Sequence, residues 1–260
     1  MPVAIGIPLR RLDDREFGEV VFETMRHVFE VHAELGRFFE EKIYQRELAF
    51  RVAGAQIEVP IEVTFDGFHK TYSIDLVVGG GAIFELKTVE TLAQRHRSQL
   101  MHYLLLADLP HGKLINLRPQ RVSHEFVNNV LRRRDRIAFE VVDKNWIESG
   151  GYHLKERMVA ALFDWGAALD LGLYEDAATH FCGRDAEPLS EIEILAHDRL
   201  LGVQKARLGD PSTALKITAL DADSLPDFEF HARRFLSHTS LHSIQWINIT
   251  RPVVQFKTLS

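Results

Sequence analysis

The sequence has a single cysteine, Cys182, in 260 residues. One thiol excludes an internal disulfide and fits a reducing compartment. No apolar run reaches the roughly 18 residues that a membrane span needs. The opening stretch has no apolar h-region and no small-residue cleavage site before Arg10 and Arg11, so a secretory signal is not expected. Cytoplasmic residence is the expectation. Positive charge is also in short supply: 31 Lys and Arg face 37 Asp and Glu, a net charge of −6. The basic excess that marks many nucleic-acid binders is therefore missing. Its absence does not exclude that class, because acidic clusters that hold metal ions lower the net charge of enzymes that cut nucleic acid. The deficit is uneven, since 19 of each sign lie in residues 1–136, leaving 12 basic and 18 acidic beyond.

What is present is an ordinary globular mix, 46% apolar and 26% charged, which excludes disordered, collagenous and fibrous classes. The length suits one large domain or two small ones. Phe17, Val20, Val21, Met25, Val28, Val31 and Leu35 recur at three- and four-residue spacing, the apolar face of a long helix. Gly36 interrupts it, and 38–50 resumes a helical pattern. Over 57–65 apolar and polar residues alternate as in a half-buried strand, with Pro60 arguing for an edge or a bend. Asp66-Gly67 is a hairpin turn. A strand over 71–78, a turn at Gly79-Gly80-Gly81 and a strand over 82–89 follow. A helix over 92–107 and a short strand over 113–117 complete the series.

The second half repeats that order. Glu34-Leu35-Gly36 and Asp164-Trp165-Gly166 stand 130 residues apart, as do Tyr44 and Tyr174. Phe84-Glu85-Leu86-Lys87 faces Leu215-Lys216-Ile217-Thr218 at 131. Leu104 faces Leu236, and Ile115-Asn116 faces Ile247-Asn248, at 132; Arg118-Pro119 faces Arg251-Pro252 at 133. The offset grows by single residues across turns, where insertions are tolerated. Two similar domains, 1–135 and 140–260, are the expectation.

Asp75, Glu85 and Lys87 carry the chemistry. Alternation along 82–87 puts Ile83, Glu85 and Lys87 on one face of a strand and Phe84 and Leu86 on the other. Charges among such apolar neighbours are costly to bury without partners. Asp75 sits on the preceding strand, and the glycine turn brings the two strands together. Two readings stand side by side. One is a cross-strand salt bridge; the other is metal-assisted phosphodiester hydrolysis, with hard carboxylates holding Mg²⁺ and Lys87 orienting water or stabilising the phosphorane.

The wider pattern adds to this. Val31 to Gly36, Glu41-Lys42-Ile43-Tyr44, Asp75, Phe84 to Lys87, Gln99 to Leu104 and Leu114-Ile115-Asn116 together resemble the GxxExxY family of the PD-(D/E)XK nuclease superfamily. Two positions depart from the pattern: Phe38 stands at the first glycine of the naming motif, and Ile74 precedes Asp75. The resemblance implies an α/β, restriction-endonuclease-like core. It implies Asp75 and Glu85 as ligands of Mg²⁺ or Mn²⁺, the Leu86 carbonyl as a third, and Lys87 as the catalytic lysine. Glu41 would be an additional acidic group near the metal, with Glu34 its rival. Gln99 and Tyr103, four apart on one helix face, would orient the site or touch phosphate.

The second copy cannot repeat this site. Lys216 stands for Glu85, Thr218 for Lys87, His231 for Gln99 and Leu171 for Glu41, and Lys205-Ala206-Arg207 covers Asp75. Lys205, Arg207 and Lys216 are expected to gather positive charge there. Weaker signals are His238 and His242 as a metal pair, and Arg132, Arg133, Arg134 and Arg136 as a phosphate grip or a solvated junction. Trp146, Trp165 and Trp246 read as core. The expectation is a metal-dependent nuclease acting on DNA, with RNA left open. One site per chain would nick or trim, so double-strand cleavage would need a homodimer. The alternatives are an idle nucleic-acid- or partner-binding module with a nuclease fold, and a hydrolase for a small nucleotide.

Overall fold

The first long helix starts at a reciprocal cap. Asp13 accepts the Glu16 N–H at 2.8 Å, and Glu16 accepts the Asp13 N–H at 3.1 Å, pairing two donors that a helix start leaves free. The computed structural model describes residues 3–186, 188–197 and 199–260. The chain forms two compact units, Met1–Arg133 and Arg134–Ser260. Among the described residues no helix is long and apolar enough to cross a membrane.

The first unit runs β1 (Val3–Ile5), α1 (Asp14–Leu35), α2 (Glu41–Arg51), β2 (Gln56–Phe65), β3 (Phe68–Val78), β4 (Ala82–Lys87), α3 (Gln94–Leu106), β5 (His111–Asn116) and β6 (Ser123–Asn128). Its sheet has the order β1-β2-β3-β4-β5-β6. Only β4 and β5 pair in parallel, joined by α3, as a parallel connection requires a crossover. Phe84 and Leu86 face a core built with Val21, Met25, Val28 and Val31 of α1 and Tyr44 and Leu48 of α2. Leu100 of α3 closes on Gly112, opposite Ile83, on the other face. A Cβ at Gly112 would stand 2.9 Å from a Leu100 methyl, so this close approach needs glycine.

The structure adds β1 and β6 to the elements read from sequence, and α2 starts only at Glu41, after the turn that Gly36 opens with φ 72°. Pro60 lies just beyond the β1–β2 ladder, which ends at Ile5↔Ile61. There the Gly6 N–H donates to the Pro60 carbonyl at 2.9 Å, and the proline ring has no N–H to donate back.

The second unit runs α4 (Arg133–Arg136, its first residue still in the first unit), β7 (Glu140–Asn145), α5 (Leu154–Trp165), α6 (Leu171–Phe181), β8 (Ser190–Ala196), β9 (Arg199–Ala206), β10 (Leu208–Asp210), β11 (Thr213–Thr218), α7 (Leu225–Leu236), β12 (Ser243–Ile249) and β13 (Val253–Leu259). Its main sheet is β10-β11-β12-β13-β7, and β8 and β9 form a separate hairpin. Two pairs are parallel here, β11 with β12, joined by a helix as in the first unit, and β13 with β7. Trp165 and Trp246 are fully buried. Arg136 is buried too and donates to the Trp165 carbonyl at 2.6 Å, closing the end of α5; it grips no phosphate.

The same anchors recur in both units. Tyr44 donates its hydroxyl proton to the Gly36 carbonyl at 2.8 Å and accepts the Phe39 N–H at 3.3 Å. Tyr174 donates to the Gly166 carbonyl at 2.6 Å and accepts the Leu169 N–H at 3.1 Å. Asn116 receives the Val89 N–H and donates to the Val89 carbonyl, and Asn248 does the same with Leu220. Each buried side chain replaces backbone pairing that a turn cannot supply for itself. Tyr174→Phe should lower the unfolding free energy by about 1–3 kcal/mol in urea titrations, because it strands a buried carbonyl and a buried N–H, and Tyr44→Phe should cost less, because the Gly36 carbonyl and the Phe39 N–H lie nearer solvent. Unchanged midpoints would show that the hydroxyls do not hold these turns.

Candidate active site

The site forms where the sheet of the first unit opens. The β3–β4 ladder runs from Val78↔Ala82 to Leu76↔Phe84 and stops there. Beyond it, side chains take over the freed backbone groups. The Asp75 carboxylate accepts the Leu86 N–H at 2.8 Å, and Gln45 of α2 donates to the Asp75 carbonyl at 2.6 Å. Asp75 is thereby fixed at both its backbone and its side chain.

Lys87 sits among three carboxylates. Its Nζ lies 2.6 Å from Glu85, 3.6 Å from Glu41 and 3.7 Å from Asp75, and it donates to the Leu86 carbonyl at 2.7 Å. Glu85 is wholly buried, Lys87 and Asp75 retain 12% and 14% side-chain exposure, and Glu41 retains 34%. Glu85 Oε1 takes the lysine, while Glu85 Oε2 is buried and accepts no hydrogen bond. Glu34, the rival of Glu41, is instead paired with Arg51 at 2.5 Å.

Burial and like charge set the protonation of this cluster. Burial, reinforced by Asp75, pushes the Glu85 carboxyl up to about 8 despite the adjacent ammonium. Burial also raises Asp75 and Glu41 above the usual carboxylate range. Burial works against the Lys87 ammonium, but Glu85, Asp75 and Glu41 outweigh it and hold its pKa above the ordinary lysine value. Tyr103, buried on α3, is pushed up to about 12 by burial, with Glu85 and Asp75 adding to the shift. Gln99 donates to the Tyr103 hydroxyl at 3.0 Å, leaving the phenol proton free to be given elsewhere.

Glu58 was not foreseen from the sequence. The β2–β3 register pairs Ile57 with Leu76 and Val59 with Ile74, which puts Glu58 opposite Asp75. Its φ of 50° is unusual for glutamate. Ser73 donates to its carboxylate at 2.9 Å and, with Gln45, holds its pKa low. Its negative charge contributes to raising both Asp75 and Glu41. The signal was in the hairpin: a two-residue turn at Asp66-Gly67 fixes which residues face each other.

No group of three or more His, Cys, Asp or Glu side chains among the described residues is placed to share one metal ion. The donors that suit a hard divalent cation are therefore the Asp75–Glu85 pair, with its unpartnered Glu85 oxygen, and the Leu86 carbonyl. Glu41 meets them through the Lys87 ammonium. The histidine pair does not form a site either: His238 meets the Leu195 carbonyl at 2.9 Å, and His242 lies beyond the end of α7. Burial pushes the Cys182 thiol up to about 12, which removes it as a nucleophile at neutral pH.

Residues 18–129 match the family model of the PD-(D/E)XK nuclease superfamily. The match holds every residue of the Asp75–Glu85–Lys87 cluster together with Glu41, Gln99 and Tyr103. Members of this superfamily are in general hydrolytic nucleases that use divalent metals such as Mg²⁺ or Mn²⁺. None of the curated proteins matches the sequence. A solved structure described as "Crystal structure of SSO0001" aligns at 23% identity and a TM-score of 0.29, over 46% of this chain and 62% of its own. The chain thus spans less than two thirds of that protein, and a likeness this slight carries no argument.

The raised carboxyls have a consequence for stability. A carboxyl whose folded pKa exceeds its unfolded value stabilises the fold below the unfolded pKa and loses that contribution as pH rises through the folded one. For Glu85 the window runs from 4.5 to about 8. In EDTA, the melting temperature of Glu85→Gln relative to wild type should therefore rise across that window. A difference that stays flat with pH would show that Glu85 is not held protonated by burial.

Proposed function

We propose that the first unit is a Mg²⁺- or Mn²⁺-dependent nuclease that hydrolyses phosphodiester bonds in DNA. The observation that carries this reading is the unpartnered Glu85 oxygen. A salt bridge kept only for stability has no reason to bury a carboxylate oxygen that nothing satisfies, since that is costly. Asp75 and Glu85 would hold the cation, with the Leu86 carbonyl. Bound there, it would lower the pKa of a water and offset charge growing on the phosphate oxygens.

The remaining roles follow from protonation. Lys87 stays an ammonium, so it cannot take a proton from an attacking water; it can donate to that water or to the phosphorane oxygens. Tyr103 stays a phenol and acts as a donor. Gln45 and the Leu86 N–H keep Asp75 in place. Glu41 and Glu58 surround the cluster with negative charge, which favours a cation in it. We assign the unit to the GxxExxY family, in which Glu41 reaches the site while Tyr44 ties the turn before it.

The second unit is, in our reading, a copy that has lost the site. The recurring element order and the matched tyrosine and asparagine anchors support duplication. At the counterpart positions Lys216 is exposed, and Thr218 is bonded to Asn248 at 2.7 Å and to the Trp246 indole at 2.8 Å. Phe228 stacks on Trp246 at 4.4 Å. Arg207 is committed to Asp176 at 2.8 Å and to Glu175 at 3.6 Å. Of the three cations expected to gather there, Arg207 is ion-paired, while Lys205 and Lys216 are exposed.

With one site per chain, a monomer cuts one strand. Supercoiled plasmid with Mn²⁺ should yield nicked circles, and Lys87→Ala and Glu85→Gln should each slow the cutting by at least about 100-fold. Equal cutting by Lys87→Ala would remove the lysine from the reaction, and linear product from a demonstrated monomer would contradict the single site.

A further inference from the structure

Several cations of the first unit are taken up by carboxylates. Arg10, Arg15, Arg26, Arg51 and Arg97 each meet a carboxylate. Arg37, Arg46, Arg95, Arg118 and Arg121 form no ion pair with a carboxylate among the described residues, and neither do Arg11 and Lys113; Lys42 forms none either, but it lies close enough to Glu58 to help lower its pKa. Arg11 reaches the Asp108 carbonyl and Lys113 is buried against the Phe126 ring, but the other six gather. Arg37 lies in the α1–α2 turn, and Lys42 and Arg46 lie on the exposed face of α2, the helix that begins with Glu41. Arg95 is in the first turn of α3, after β4, and Arg118 and Arg121 are in the loop after β5. These loops leave the same ends of the parallel strands at which Lys87 pairs with Asn116.

Two exposed rings stand among these charges. Phe38 is 78% exposed and Phe39 46%, with the Arg37 guanidinium 5.1 Å from the Phe38 ring centre. The turn that presents them is held from both sides. Tyr44 binds Gly36 and Phe39, while Arg118 donates to the Arg37 carbonyl at 3.1 Å and to the Thr88 carbonyl, next to Lys87, at 3.3 Å. A rigid turn that displays phenyl rings to solvent beside unneutralised cations has the makeup of a surface for a polyanion with planar groups.

We propose that this rim binds a single strand of nucleic acid, its bases stacked on Phe38 and Phe39 and its phosphates on the unpaired cations, and so presents the backbone to Lys87. In a duplex each base face is covered by its neighbours and a ring must unstack a step to enter, whereas unpaired bases offer their faces without that cost. Phosphates alone would need the cations and not the rings. The proposal rests on the nuclease reading and narrows its substrate to unpaired strands.

Binding can be separated from cutting. The full chain in EDTA is titrated against a short fluorescent single strand and a blunt duplex of the same length, following anisotropy. The single strand should bind at least about tenfold tighter, and Phe38→Ala should weaken it roughly tenfold without altering duplex binding. Lys42→Ala with Arg46→Ala should instead flatten the salt dependence, by about 0.7 in logarithmic slope per lost phosphate contact. Equal affinity for both forms, or unchanged single-strand affinity in Phe38→Ala, would overturn the proposal. So would binding of neither, which would leave the rings to a protein partner. Cutting is then assayed separately with Mn²⁺. Phe38-dependent binding without any cutting would refute the nuclease reading and leave the strand surface standing. Duplex cutting indifferent to Phe38 would do the reverse.

Discussion

A carboxylate with no exposed surface, Glu85, is the constraint around which the first unit is organised. A buried charge needs a partner, and Lys87 two residues along the same strand provides one at 2.6 Å. Keeping them together requires the surrounding frame: Asn116 clamps the chain just after Lys87, Gln45 and the Leu86 N–H fix Asp75, and Arg118 ties Thr88 to the α1–α2 turn. Even so, one ammonium shared by three carboxylates leaves excess negative charge. That excess appears as raised carboxyl pKa values and as one unsatisfied oxygen.

The second unit has similar anchors without that cluster of charge. The tyrosine-to-glycine tie, the asparagine clamp and the parallel pair bridged by a helix are all present. At the positions read as counterparts of Glu85 and Lys87, the second unit has an exposed lysine, Lys216, and a threonine hydroxyl bonded to an indole, with a stacked phenyl beside it. The hydroxyl and the indole N–H are both partnered. A site that is satisfied internally is stable and inert, whereas the first unit keeps an unsatisfied one. This contrast fits the rule that functional positions are where local energetic rules are broken.

Much of this was legible in the sequence. The alternation over 82–87 assigned Glu85 and Lys87 to one face because strand side chains alternate, and the glycine turn put Asp75 on the neighbouring strand. The spacing of Tyr44 and Tyr174, and of Asn116 and Asn248, announced a shared frame without revealing that the hydroxyls and amides bind turns. Other features were not legible. The short edge strand β1 has only three residues, too few for a period to show. The strand β6 follows a loop of mixed polarity. The role of Arg136 depends on a carbonyl 29 residues away, and no local pattern encodes such a partner. Glu58 was within reach, since the register set by Asp66-Gly67 places it across from Asp75, but its polar position on a half-buried strand reads as ordinary solvent exposure.

If Glu85 and Asp75 form a cation site, a metal bound there must displace the proton that burial favours on Glu85. The most direct test is calorimetric titration of the full chain with Mn²⁺ near pH 7, repeated in buffers of different ionisation enthalpy to count protons released. The expected result is a single tight site that releases close to one proton per ion, as ligand deprotonation requires, and its loss in Glu85→Gln. Mn²⁺ binding that releases no proton and survives in Glu85→Gln, or no binding at all, would contradict it.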